Sequence, residues 1–180
     1  MAINWTTLTG LKTVEGSIRN FVNRADIPVT NILLEAEALI YERLRSREMM
    51  TQDADFTFAI STSSTALPSD FLDPIQFHPW TWEDELAYVN EGEFKPARDD
   101  AGALYDGEPC KWTIIGTTAY VDVTCDAAFP GVLLYYGQPT PLSGSNETNF
   151  LTTRYPSLLR YACMAKAYEH LKDSNRAKEY

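Results

Sequence analysis

Residues 138–173 read QPTPLSGSNETNFLTTRYPSLLRYACMAKAYEHLKD, and the fold follows from how this stretch changes character along its length. Pro139, Pro141, Ser143, Gly144, Ser145 and Asn146 supply fixed φ, permissive φ and local side-chain hydrogen bonds, the chemistry of a loop. Then the period changes. Leu151, Tyr155, Leu158, Leu159, Ala162, Ala165, Tyr168 and Leu171 recur at helical spacing and predict one apolar face. Pro156 falls at the start of the longer run, where its missing N–H costs nothing because the first N–H groups of a helix are unpaired. The spacing therefore predicts a short helical turn over 147–154, a bend at Tyr155–Pro156, and a main helix from Pro156 to about Asp173.

The other end of the chain also reads as helical. Leu8, Leu11, Val14, Ile18, Phe21 and Val22 predict a helix over residues 8–22, weakened by Gly10 and Gly16 by up to about 1 kcal/mol each. Ile32, Leu33, Ala36, Leu39, Ile40 and Leu44 predict a second helix from about Ile27–Pro28 to Met49, with Thr30 or Asp26 as cap. Glu35, Glu37, Glu42, Arg43, Arg45 and Arg47 are assigned to its exposed face, with pairs such as Glu42 and Arg45 in reach of each other. Arg43, Arg45 and Arg47 gather at the C-terminal end, where the helix dipole favours positive charge. The alternative use for that cluster is contact with a neighbouring subunit or with nucleic acid.

Between the helical ends the period drops to two. Phe56, Phe58 and Ile60 alternate with Thr57 and Ala59 and predict a strand. Pro74 and Pro79 restrict any strand in FLDPIQFHPW to a short or edge position. Residues 81–88 read as a short helix, with Thr81 as cap and Glu83, Asp84 and Glu85 in the first turn. Residues 111–115, 120–123 and 132–136 predict an antiparallel meander, turning at Gly116-Thr117 and bending at Phe129-Pro130-Gly131. The predicted class is α+β: a helical bundle from the N- and C-terminal helices with an inserted antiparallel β-rich lobe. Within a single domain of residues 1–180, residues 1–50 and 145–180 form the helical part and residues 51–144 the acidic β-rich insert.

A chain of 180 residues with 44% apolar content buries a globular core. No apolar run approaches the roughly 20 residues of a membrane span, and the N-terminus shows no signal-peptide pattern. Cys110, Cys125 and Cys163 form no CxxC pair and fit free thiols in a reducing compartment. The net charge of −10 is uneven: residues 51–149 carry three basic and sixteen acidic side chains, net −13, and residues 150–180 are net +3. So acidic a middle repels phosphate.

Catalytic signatures are sparse. The sequence has no GxSxG, P-loop or GxGxxG pattern, and His78 and His170 have no partner at metal-ligand spacing. His78 is expected to pack beside Pro79 and Trp80, His170 to be exposed, and Cys163 to be a buried inert thiol. Glu83, Asp84 and Glu85 beside Trp82 are the carboxylates that could serve glycoside hydrolysis, with Trp80 and Trp82 as a sugar platform. Acids at a helix start are stabilised as anions, which is wrong for a general acid. Trp80, Trp82 and Trp112 offer a glycan-binding platform as a further alternative, with core packing as their ordinary use. No catalytic residue, metal site or cofactor is expected.

Several blocks carry a resemblance. They are the opening stretch; NFVNRADIP at 20–28 followed by ILLEAEALIYERLR; ALPSDFL at 66–72; GEPCKWTIIG at 107–116; VLLYY ahead of PLS; then NETNFL and RYPSLLRYACMAKAYEHLKD. In this order, over most of the chain, they resemble bacteriophage head–tail connector adaptor proteins. The resemblance implies a non-enzymatic virion protein, a subunit of a dodecameric homo-oligomeric ring at the neck, assembled in the host cytoplasm. Its partners would be the portal protein above and a tail or nozzle protein below. DNA would pass through the ring without sequence-specific binding, and no membrane is involved. Helices would make ring contacts and the β lobe would face the tail. Relatives of this type often continue beyond such an ending, so a short or different portal-contacting segment is expected. The residues expected at the oligomer or portal interface are Arg43, Arg45, Arg47, Lys172, Arg176 and Tyr180.

Overall fold

A computed structural model describes residues 3–80 and 85–172. Packing divides the chain into two compact units, Met1–Glu48 with Pro139–Tyr180, and Met49–Gln138. The first unit holds the helices and the second the strands, so the class is α+β.

In the helical unit, the helix predicted over 8–22 is two short ones, α1 (Trp5–Thr9) and α2 (Ile18–Phe21). The glycines decide this. Gly10 leaves the helical region with ψ 169°, and Gly16 takes φ 88°, a left-handed conformation that a side chain disfavours. Asn4 caps α1 and Ser17 caps α2. The Arg19 guanidinium then closes the gap. It donates to the carbonyls of Thr9 (2.8 Å) and Gly10 (3.2 Å) and, on its other side, to Ala25 (3.2 Å).

The second predicted helix is α3 (Val29–Arg43), shorter than expected at its C-terminal end, with a 3-10 turn at Arg47–Met49 beyond it. Neither Thr30 nor Asp26 caps it. Pro28 holds the N-cap position without a side-chain bond, while Asp26 pairs with Arg24 at 2.7 Å. The short turn and main helix of the C-terminal stretch are α4 (Phe150–Arg154) and α5 (Pro156–His170), with Pro156 in the first turn. Asn149 and Thr152 form a reciprocal capping box at α4. Helices α3 and α5 pack on each other.

Of the predicted apolar face, Leu151, Leu159 and Tyr168 are buried as expected, but the rest of the buried stripe of α5 comes from other residues. Leu159, Cys163, Met164, Ala167 and Tyr168 are buried, whereas Tyr155 and Leu158 are exposed. Burial pushes the Cys163 thiol well above its ordinary pKa, as expected of an inert thiol.

Among the described residues the second unit contains nine strands: β1 (Met50–Phe58), β2 (Ser64–Ala66), β3 (Phe71–Pro79), β4 (Ala87–Tyr88), β5 (Asp106–Gly107), β6 (Lys111–Ile115), β7 (Thr118–Val121), β8 (Thr124–Cys125) and β9 (Phe129–Gly137). They form a sheet in the order β1-β9-β3, a second in the order β2-β7-β6-β4, and the small β5-β8 pair. The β6–β7 hairpin turns at Gly116-Thr117 as predicted. The third strand of the expected meander does not join it. Strand β9 lies in the other sheet, between β1 and β3, and Phe129–Gly131 is part of the strand rather than a bend. Its burial alternates along all nine residues, which places Phe129, Leu133 and Tyr135 inside.

Gly131 is required there, because a Cβ at this position would lie 2.7 Å from the Phe77 ring. Strand β3 is an edge, as its prolines demand, but it runs for nine residues. A register shift at Pro74/Gln76 absorbs the missing N–H. Ile60 lies past the end of β1 and is exposed, and Ser61 turns the chain with φ 61°. Of the helix predicted over 81–88, residues 81–84 lie outside the described residues. Ala87–Tyr88 form a strand parallel to β6.

Phe56, Phe58 and Phe77 meet edge to face with centroids 5.4–5.6 Å apart, and Phe77 reaches Trp112 at 6.3 Å. These side chains come from both larger sheets and make one core with Val121, Leu133 and Tyr135.

Candidate interaction surface

The three arginines at the end of α3 have three different environments. Arg45 turns back on its own helix, and its Nη1 donates to the carbonyls of Tyr41 (2.6 Å) and Leu44 (2.9 Å). It therefore satisfies acceptors that the helix end leaves open. Arg47 is exposed on the 3-10 turn. Arg43 is exposed and makes no hydrogen bond or ion pair with another described residue. Nearby Glu48 accepts from Arg154 at 2.5 Å, an ion pair between helix α4 and the 3-10 turn. Lys172 is exposed just beyond α5 with φ 58°. Arg176 and Tyr180 lie outside the described residues.

Arg43 stands beside a feature that the sequence reading divided wrongly. Leu39, Ile40 and Leu44 of the α3 end face Leu158, Tyr161, Ala162 and Ala165 of α5 across an open groove of about 380 Å³. Leu158 is 42% exposed and Tyr161 51% exposed. Helix α5 thus has two apolar faces. One, at 159, 163 and 167, is buried in the helical unit; the other, at 158, 162 and 165, was expected to share a single core face with Leu159 and Tyr168 and lines the groove instead. Isolated exposed apolar residues are ordinary, but a continuous apolar groove is a mark of an interaction surface.

Glu37 was expected on the exposed face of α3. It is 1% exposed. The spacing held the signal, since Glu37 falls between Leu33 and Ile40 on the buried side at steps of four and three. Three donors converge on its carboxylate: the Leu142 N–H at 2.9 Å, Asn149 Nδ2 at 2.7 Å and the Tyr41 hydroxyl at 3.1 Å. Asn149 also donates to the Tyr41 oxygen at 2.9 Å. The network ties α3 to the loop after residue 139 and to the cap of α4. Burial raises the Glu37 pKa, and the three hydrogen bonds oppose that shift without cancelling it.

Of the residues weighed for other chemistry, Trp80, Glu85 and Trp112 are among the described ones. Trp112 is fully buried, and its Nε1–H donates to the Leu86 carbonyl at 3.1 Å. Trp80, for which core packing was expected, is instead 59% exposed, because it lies just past the end of edge strand β3. Trp82, Glu83 and Asp84 lie outside the described residues. His78 is half-buried, with Nδ1 2.9 Å from the Pro79 carbonyl, and His170 is exposed. Among the described residues, no group of His, Cys, Asp or Glu is arranged to hold a metal ion, and no helix is long and apolar enough to cross a membrane. The three cysteines are free thiols.

Charge separates by unit. Residues 49–138 carry fifteen acidic and three basic side chains, net −12, while the remainder of the chain is net +2. Asp122 is one acid of the strand-rich unit with a structural use, accepting from the backbone N–H groups of Cys110 (3.0 Å) and Lys111 (3.2 Å). Glu85, Glu91, Glu93, Asp100, Asp106 and Glu108 are exposed.

Residues 9–180 match the family model described as SU10 adaptor protein. No curated protein matches the chain.

Proposed function

The chain belongs to the SU10 adaptor protein family and is a phage head–tail adaptor; on that premise we propose that it is a ring-forming structural subunit joining the portal to the tail. The observation that carries this reading is the span of the family match, residues 9–180, which covers the second compact unit and all but the first eight residues of the other. The proposed ring is homo-oligomeric, a dodecamer, with the portal on one side and a tail or nozzle protein on the other. DNA passes through its centre. The role is structural rather than enzymatic, and its place is the neck of the virion.

Two features of the chain support the finer parts. The helical unit offers an exposed apolar groove and, at its edge, an arginine with no ion-pair partner among the described residues, as an assembly surface requires. The strand-rich unit carries net −12 with its exposed carboxylates, and a surface of that sign repels phosphate, so DNA can move past without adhering.

The test is the phenotype of phage that lack this protein. Infection without it is expected to yield DNA-filled heads and separate tail components, with no joined particles. Normal tailed particles in its absence would overturn the proposal. Release of sugar or peptide from cell walls by the purified chain would overturn the non-enzymatic part.

A further inference from the structure

We propose that the groove between α3 and α5 receives the acidic strand-rich unit of a second copy of this chain, through the exposed side chains of segment 85–108. The inference rests on the ring reading above and assigns one contact within it.

A head-to-tail ring contact joins two different surfaces of the same chain. The groove supplies one of them. Leu39, Leu44, Leu158, Tyr161 and Ala162 line it, and Arg43 stands at its edge with no ion-pair partner among the described residues. Such a site takes an apolar or aromatic side chain that has a carboxylate next to it.

The chain carries that combination in its other unit. Tyr88 and Tyr105 are 43% and 54% exposed. Glu85, Glu91, Glu93, Asp100, Asp106 and Glu108 are exposed around them in sequence. Charge favours this pairing over the symmetric one. Contact between two strand-rich units would set −12 against −12, whereas contact with the helical unit, net +2, avoids that repulsion and brings Arg43 to the acids.

The test uses the full chain with a photoreactive residue, Leu158→p-benzoylphenylalanine, assembled with and without the portal. Leu158 is half-exposed, so the change adds bulk at a surface. Irradiated rings are expected to give cross-linked peptides from residues 85–108 of another copy. In parallel, Arg43→Glu is expected to weaken self-association about tenfold or more, and Arg47→Glu, outside the groove, to change it less than about twofold. Rings whose cross-links map to the portal, to another segment of the chain or to nothing overturn the inference and leave the adaptor reading standing. Equal effects of the two charge reversals also overturn it. A chain that forms no ring in any condition overturns both.

Discussion

Replacing Trp112 by Ala is expected to cost the strand-rich unit about 3–5 kcal/mol. The indole is fully buried and packs against Phe77 at 6.3 Å and Tyr88 at 5.1 Å. Removing it opens a cavity where the two larger sheets share their core. It also leaves the Leu86 carbonyl without the indole N–H that it accepts at 3.1 Å. That bond ties the backbone entering β4 to the core. Urea unfolding followed by far-ultraviolet circular dichroism measures the loss. The control is Trp80→Ala, at a position 59% exposed, where a change within about 0.5 kcal/mol is expected. Equal costs at the two positions would contradict the placement of Trp112 at the centre.

Glu37→Ala should be the most damaging single change in the helical unit. Three donors would lose their acceptor together: the Leu142 N–H, Asn149 Nδ2 and the Tyr41 hydroxyl. A buried donor left unpaired costs about 1–3 kcal/mol, so a loss of about 3 kcal/mol or more is expected, reduced where water enters. Hydrogen exchange localises it, because the Leu142 amide should lose protection before the middle of α3 does. Glu37→Gln separates charge from shape. Burial raises the carboxyl's pKa above its ordinary 4.5. Its contribution to stability is therefore fully present below pH 4.5 and declines as pH rises through the raised folded value. The glutamine variant lacks that decline, so its stability relative to the natural protein should improve as pH rises above 4.5. A difference that stays flat with pH would contradict the raised pKa.

What the sequence made legible was the local chemistry. The bend at Tyr155–Pro156, the Gly116-Thr117 hairpin and the edge position of the Pro74 strand each follow from one residue's constraints. What it hid were choices between two acceptable partners. Strand β9 alternates as well as any strand can, and alternation says nothing about which sheet it joins; Gly131 against the Phe77 ring makes that choice. Helix α5 offers two apolar stripes, and only the packing of α3 selects the one at 159, 163 and 167. The groove exists because the other stripe was left over. Glu37 was misplaced because charge was weighed above position: its spacing from Leu33 and Ile40 puts it inside, and two of the three donors that make this tolerable lie more than a hundred residues away. The glycines of the first predicted helix were recognised as weakening, yet Gly10 at ψ 169° ends α1 outright and Gly16 at φ 88° stands between it and α2.

The central claim is that this chain is an adaptor subunit that assembles on a portal. Sedimentation velocity of the purified chain, alone and mixed with the portal ring of the same phage, tests it most directly. The account predicts a species on mixing that sediments faster than the portal alone and holds a ring's worth of this chain, its amount limited by the portal. A chain that sediments apart from the portal at every ratio and salt concentration would contradict it.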